Sequence, residues 1–235
     1  VIIRDIASQD AGLPKLEINS NAFAQAGNVW VGNFNLTGEG NNSTCASKII
    51  SGNTLNTNTT TILLPGSNFC VASQATIKAA HGIEIGSYNL DVHGSIVSTG
   101  QISCNIPGQV SVTSNATIYS TEPIYLTVGE KIYVGGAITS EQHVATNSSI
   151  VDLSLGASIT SKKAGIEMFS SNWLHSRGAI QAEKDIGITT QGKYPHGCGL
   201  VFQAGSKTLS ISGKVTATST HRMVVVGDTD MPAVI

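Results

Sequence analysis

Charge is scarce in this chain. Of 235 residues, 12% are Asp, Glu, Lys or Arg, against about 25% in ordinary soluble domains. The net charge is −2, so there is no basic footprint and no nucleic-acid partner is expected. No run of 18 apolar residues occurs, which argues against a membrane-spanning helix. The four cysteines, Cys45, Cys70, Cys104 and Cys198, contain no CxxC pair, so a structural zinc site is not expected. The histidines make no HxH or HExxH spacing, and there is no GxSxG elbow. Asp228-Thr229-Asp230 opens like a calcium loop but lacks the glycine and the later glutamate. No catalytic constellation, metal or cofactor is predicted. The chain starts at Val1 with no visible signal peptide, and a fragment of a longer polypeptide is the expectation.

What is present is a repeat. Gly94-Ser-Ile96, Gly136-Ala-Ile138, Ala157-Ser-Ile159 and Gly178-Ala-Ile180 recur, with Ala75-Thr-Ile77 and Ala116-Thr-Ile118 in the same series. The anchors are thus Ile77, Ile96, Ile118, Ile138, Ile159 and Ile180, at a nearly constant step. About six residues after each anchor comes a second apolar pair, such as Ile83/Ile85, Ile124/Leu126 and Ile186/Ile188. A third follows, as in Leu90/Val92, Val110/Val112, Ile132/Val134 and Val151/Leu153. One residue separates the members of each pair, the period of a strand with one buried face. Gly, Asn, Ser and Pro between the pairs supply turns. The chain is therefore predicted to be all-β, a parallel β-helix (solenoid) of about 20–21 residues and three short strands per coil. At that period the full length makes roughly eleven coils. With so few charges, Ser, Thr, Asn and Gln must form the surface, where hydroxyls and amides can ladder between coils.

The rhythm divides the chain into one elongated domain with four stretches. Residues 1–70 are irregular coils or a cap, with Val29 and Ile50 as anchors, Ile62 and Leu64 in the third-strand phase, and polar, turn-rich tracts such as Asn53 to Thr61. Residues 71–189 are regular coils. Residues 190–206 hold an inserted loop of about fourteen residues, because Val215, preceded by Leu209 and Ile211, is the next anchor after Ile180. Residues 207–235 are the final coil or coils, strongly apolar from Met223 onward.

Candidate sites are few. Insertions in solenoids become loops on one face, often the binding face. The inserted loop contains Lys193, Tyr194 and His196, a cation, an aromatic face and an imidazole that can hold a sugar or peptide by stacking and hydrogen bonding. The bland alternative is a packing flap in which Leu200, Val201 and Phe202 cover the helix. Cys45 and Cys70 fall at similar phases of adjacent coils and can form a disulfide; four reduced thiols are the alternative. Cys104 and Cys198 are too many coils apart to pair. His81, His93, His175 and His196 read as turn or wall residues. Glu84, Glu167 and Asp185 belong to three different coils, too distant for a carboxylate pair. Asn35, Asn58 and Asn115 sit in glycosylation-type triplets, which arise easily in an Asn/Thr-rich chain.

The unit Gly178-Ala-Ile-Gln-Ala-Glu-Lys-Asp-Ile-Gly-Ile-Thr189 resembles the repeat of filamentous-haemagglutinin-like proteins. Gly94 to Ile102 and Gly136 to Val144 are looser copies, and the likeness spans roughly residues 75–220. It implies a right-handed β-helix, the shaft of a secreted or bacterial cell-surface adhesin or contact-dependent toxin of the two-partner secretion type. The Asn-Pro-Asn motifs of that family's secretion domain are absent. The expected function is attachment or display, with a host-cell or cell-surface glycan or protein receptor as partner. The alternatives are a carbohydrate-binding or carbohydrate-processing β-helix of the lyase or tailspike type, and a self-associating fibre subunit.

Overall fold

Ile77, Ile96, Ile118, Ile138, Ile159 and Ile180 stand opposite one another in parallel strands. All six are fully buried. The computed structural model describes residues 2–4, 17–18, 24–32, 47–49, 54–192, 198–204 and 206–225. Its strands stack into an all-β, parallel β-solenoid of about seven turns.

Each coil has three walls, and the alternation of apolar and polar residues assigns every strand residue to the core or to the outside. On the second wall Ile83, Ile102, Ile124, Val144, Ile166 and Ile186 form one inward column. The neighbouring column is Ile85, Cys104, Leu126, Thr146, Met168 and Ile188. Cys104 and Thr146 thus occupy slots that read as empty in an isoleucine-and-leucine pattern. On the third wall Leu90, Val110, Ile132, Val151, Leu174 and Leu200 are in register. Every one of those six is fully buried. A buried Ile or Leu contributes about 1.5–3 kcal/mol by leaving water, and no coil can bury its columns without its neighbours.

The corners explain the Gly-x-Ile and Ala-x-Ile signatures. Ala75, Ala116 and Ala157 close tight turns by donating to the carbonyls of Ala72, Thr113 and Ser154. Gly156 in the last of these turns has φ +82°, a left-handed conformation that suits glycine. The glycine of the next coil then rides directly over the alanine. A Cβ on Gly94 would lie 2.2 Å from the Ala75 carbonyl oxygen, one on Gly136 2.2 Å from that of Ala116, and one on Gly178 2.6 Å from that of Ala157. Alanine-turn and glycine-corner coils therefore alternate, a two-coil repeat within the one-coil period.

A serine ladder closes the next corner. Ser98, Ser120, Ser140 and Ser161 are in register and buried. Ser120 Oγ donates to the Gly100 carbonyl at 2.6 Å and accepts from the Glu122 N–H at 3.0 Å. Ser140 Oγ does the same with the Glu122 carbonyl (2.8 Å) and the Gln142 N–H (2.9 Å). The Ser120 and Ser140 hydroxyls each satisfy a carbonyl of the coil below and an N–H of their own turn, Ser98 accepts from the Gly100 N–H and Ser161 donates to the Gln142 carbonyl, so backbone groups that the strands leave open are paired.

Register corrects several expectations. Ile180 pairs with Thr208, and Val215 pairs with Ile186, so Val215 belongs to the second wall and is not an anchor. The anchor slot after Ile180 is filled by Thr208, seven positions before Val215, and the insertion is about half the predicted length. Leu209 and Ile211 point outward, 51% and 71% exposed, while Ser206 and Thr208 are buried. In the amino-terminal part, Leu55 pairs with Ile77, and Ile49 pairs with Val71 on the third wall. Ile50 lies outside the described residues; the anchor-phase residue of that coil is Leu55. Val29 pairs with Thr60, and Ile62 with Ile85, so both belong to the second wall. The tract read as turn-rich is part of the long strand run Thr54–Val71, because β-branched threonines suit a pleated wall. Its register against the next coil shifts twice, by one extra residue in that coil opposite Thr57–Thr59 and by two extra residues of its own between Leu64 and Asn68.

Candidate functional site

Lys193, Tyr194 and His196 lie outside the described residues. The strands on either side locate the insertion. The second-wall strand Ile186–Thr190 ends before it, and Cys198–Phe202 resumes on the third wall with Leu200 opposite Leu174. The stretch from Ile188 to Leu200 is twice as long as that from Met168 to Leu174, its counterpart in the coil below. Leu200 and Phe202 are fully buried. The Leu-Val-Phe run is therefore a core strand, not a flap laid over the wall.

The outer side of the second wall carries a groove. Two outward columns run along it: Tyr125, Ala145, Glu167 and Gly187, and beside them Thr127, Asn147, Phe169 and Thr189. Ala145 and Gly187 flank Glu167 within its column, and a Cβ on Gly187 would meet nothing within 4 Å. These two short residues open a depression of about 420 Å³ between the longer side chains. Tyr125 is 38% exposed at one end, its ring 6.3 Å from that of His143 and tilted by 52°. Phe169 lies two coils further on, about 10 Å along the axis at ~4.8 Å per strand. The rings, the Glu167 carboxylate and the Asn147 amide come from three coils, so only the stacking brings them together.

Two ionic clusters occupy the other walls. On the third wall Asp152 Oδ2 accepts from Lys131 Nζ at 2.8 Å, and Asp152 Oδ1 lies 3.1 Å from His175 Nδ1. Burial works to raise the Asp152 carboxyl, but hydrogen bonds from His175 and Lys131, reinforced by their charge, lower it to about 2. Lys131 Nζ also lies 5.5 Å from the Tyr133 ring centroid. On the first wall Glu141 accepts from Lys162 at 2.7 Å and from Tyr119 Oη at 3.1 Å, with Lys163 3.5 Å away. The hydrogen bond from Lys162 is the main reason the Glu141 carboxyl is lowered. These clusters link adjacent coils and brace the walls; their polar atoms face one another.

The remaining candidates stay dispersed. Glu84 and Glu167 share one outward column but are four coils apart, about 19 Å. Asp185 turns to the corner, where Oδ1 accepts from the Lys214 N–H at 2.8 Å. His81 and His93 are exposed in the Thr76–Val92 coil and the corner after it, whereas His175 lies several coils away, beside Asp152. Asn115 is exposed in the turn before Ala116. Among the described residues no group of three His, Cys, Asp or Glu can hold a metal. Cys70 is disulfide-bonded, while Cys45 and the Cys198 side chain lie outside what is described. Cys104 is a free thiol inside the core, and burial pushes it up to about 12.

The groove and the Lys131–Asp152–His175 cluster escape a reading of the sequence because successive members are a whole coil apart along the chain. The usable signal was the residue between each apolar pair: Tyr133, Asp152 and His175 on one wall, Tyr125 and Glu167 on another. Comparison with protein-family models, with curated proteins and with solved structures returns no match.

Proposed function

We propose that this chain is a shaft segment of a secreted or cell-surface β-helical protein that serves attachment or display, an adhesin-like role. The observation that supports this reading is the continuity of the stack. Among the described residues between Thr54 and Val225 each coil supports the next through shared columns, and Ser, Thr, Asn and Gln recur on the outer walls. Such a rod holds surface features at fixed distances along its axis, which suits display. The likeness of Gly178–Thr189 to filamentous-haemagglutinin-like repeats points the same way. The partner on this reading is a glycan or protein receptor on a cell surface.

The test is attachment. Beads coated with the purified chain are counted on epithelial monolayers and on bacterial lawns, beside beads coated with an unrelated β-solenoid. Attachment well above that control on either surface supports the proposal. Attachment equal to the control, with the chain folded on the beads, contradicts it. A self-associating fibre subunit is the second reading, favoured by the exposed apolar residues of the last described coils, Leu209, Ile211, Met223 and Val225. Light scattering over a concentration series decides it: mass rising in multiples of 24.3 kDa supports it, and a constant monomer mass rejects it.

A further inference from the structure

We propose that the groove on the second wall is a binding site for a neutral oligosaccharide, with Tyr125 and Phe169 as stacking platforms and Glu167 and Asn147 as hydrogen-bonding partners. The inference rests on the geometry of that wall and does not depend on the shaft reading.

The backbone of the wall determines what class of ligand it can take. The strands Ile124–Val128, Val144–Leu153, Ile166–Ser176 and Ile186–Thr190 are each paired with a neighbour on both sides. Their N–H and C=O groups are committed to the stack. An extended peptide cannot add a strand here, so the main-chain recognition that peptide-binding sheets use is unavailable. Recognition falls to side chains that project from a rigid wall, with little ordering required on the protein's side.

Those side chains match the two faces of a sugar. A pyranose ring presents C–H groups on its flat face and hydroxyls around its edge. The C–H face seats on an aromatic ring, whose face carries partial negative charge. The groove offers two such rings, two coils apart, with the short Ala145 in the coil between them and Gly187 keeping the depression open on the far side of Phe169. At the edge of that space the Glu167 carboxylate can accept hydrogen bonds from two sugar hydroxyls, and the Asn147 amide can both donate and accept. The strands that carry the two rings are about 10 Å apart along the axis, and the rings stand in different columns of the wall, so the span calls for a chain of sugars and not a single residue.

Charge decides which sugars. Among the described residues that line the groove Glu167 is the one ionisable carboxylate, and no Lys or Arg is present. A uronate, sialate or sulfated chain would bring a second anion beside Glu167 with no cation to compensate it. Like charges brought together act against the wrong partner. The groove therefore selects uncharged chains.

The experiment uses the full chain and calorimetric titration with cellohexaose, maltohexaose and mannohexaose, against hexagalacturonate and a heparin hexasaccharide. At least one neutral probe is expected to bind with a Kd below 1 mM, and both acidic probes at least tenfold more weakly. Tyr125→Ala, at an exposed position, is expected to weaken the neutral probe about tenfold or more with Tm unchanged. Ala145→Leu, which fills the floor, is expected to abolish binding with the protein still folded. Binding of no neutral probe, acidic probes that bind as well as neutral ones, or binding that survives both substitutions each overturns the proposal. Soluble sugars report on the groove alone, so failure of bead attachment leaves this result intact, and the converse holds.

Discussion

Ile180 stands opposite Thr208 across the last regular step of the anchor column. The pairing places a threonine in a slot that six coils in succession fill with isoleucine. Its Oγ1 is buried with no hydrogen-bond partner among the described residues. An unpaired buried hydroxyl costs free energy that an apolar group of the same shape does not. Thr208→Val is therefore expected to stabilise the protein by about 1 kcal/mol, a rise of about 2–4 °C in Tm for a chain of this length. A fall in Tm on a thermal melt would show that Thr208 does not face the core.

The serine ladder predicts a loss. Ser120→Ala leaves the buried Gly100 carbonyl and the part-buried Glu122 N–H without their partner. The expected cost is about 1–3 kcal/mol, measured by urea denaturation. Ser95→Ala is the control, because Ser95 Oγ only accepts from Thr117 Oγ1 at the surface, and it should change stability by less than ~0.5 kcal/mol. Equal effects at the two sites would remove the ladder from the account.

Two glycines separate packing from permissiveness. Gly136→Ala drives a Cβ to within 2.2 Å of the Ala116 carbonyl oxygen and 2.3 Å of that of Thr113. Both atoms are backbone, so the coil must shift, at about 1–3 kcal/mol or more. Gly187→Ala meets no atom within 4 Å and removes the flexibility of a glycine within a strand, so it should be neutral or stabilising by about 0.5 kcal/mol. The comparison of the two melting temperatures checks both.

The Asp152 carboxyl sets a pH dependence. It titrates at about 2 in the folded protein, below its unfolded value of about 3.9. Its contribution is thus complete above about pH 5 and is lost as pH falls through about 2, on the order of 2 kcal/mol in all. Asp152→Asn should flatten that part of the stability profile between pH 5 and pH 2, read from urea midpoints. A profile unchanged by the substitution would mean that Lys131 and His175 do not hold the carboxylate.

How far this was readable in advance can be followed residue by residue. Ile77 through Ile180 announced their own column because each is a β-branched apolar residue framed by turn residues at a nearly constant step. The same logic failed at both ends. Leu55 is an anchor embedded among asparagines and threonines, and its neighbourhood reads as a turn. Thr208 is an anchor with a hydroxyl, whereas Leu209 and Ile211 beside it carry the apolar signal and face outward. Register is a property of backbone pairing between coils, and a shift of one residue exchanges inside for outside. The alternation of alanine turns and glycine corners was present in the sequence but visible only once Gly136 was seen above Ala116. The groove was not legible at all, since Tyr125, Asn147, Glu167 and Phe169 become neighbours only when coils stack. Cys104 shows the converse: coil counting alone leaves it unpaired with Cys198, and it is a free thiol that serves as a small core residue.

The most direct test of the stacked register is a pair of engineered cysteines in the groove. Thr127 and Asn147 are register partners on adjacent coils, both outward-facing and exposed. Strand spacing of ~4.8 Å falls within the separation of about 4.4–6.8 Å that a disulfide accepts. Cys104 stays out of the exchange because its thiol is buried and protonated. Oxidation of Thr127→Cys/Asn147→Cys, followed by peptide mapping, is predicted to give a near-complete new crosslink, while Thr127→Cys/Ala145→Cys, displaced by two residues on the same face, gives little. Equal crosslinking in the two proteins, or none in the first, would contradict the stack and the groove built on it.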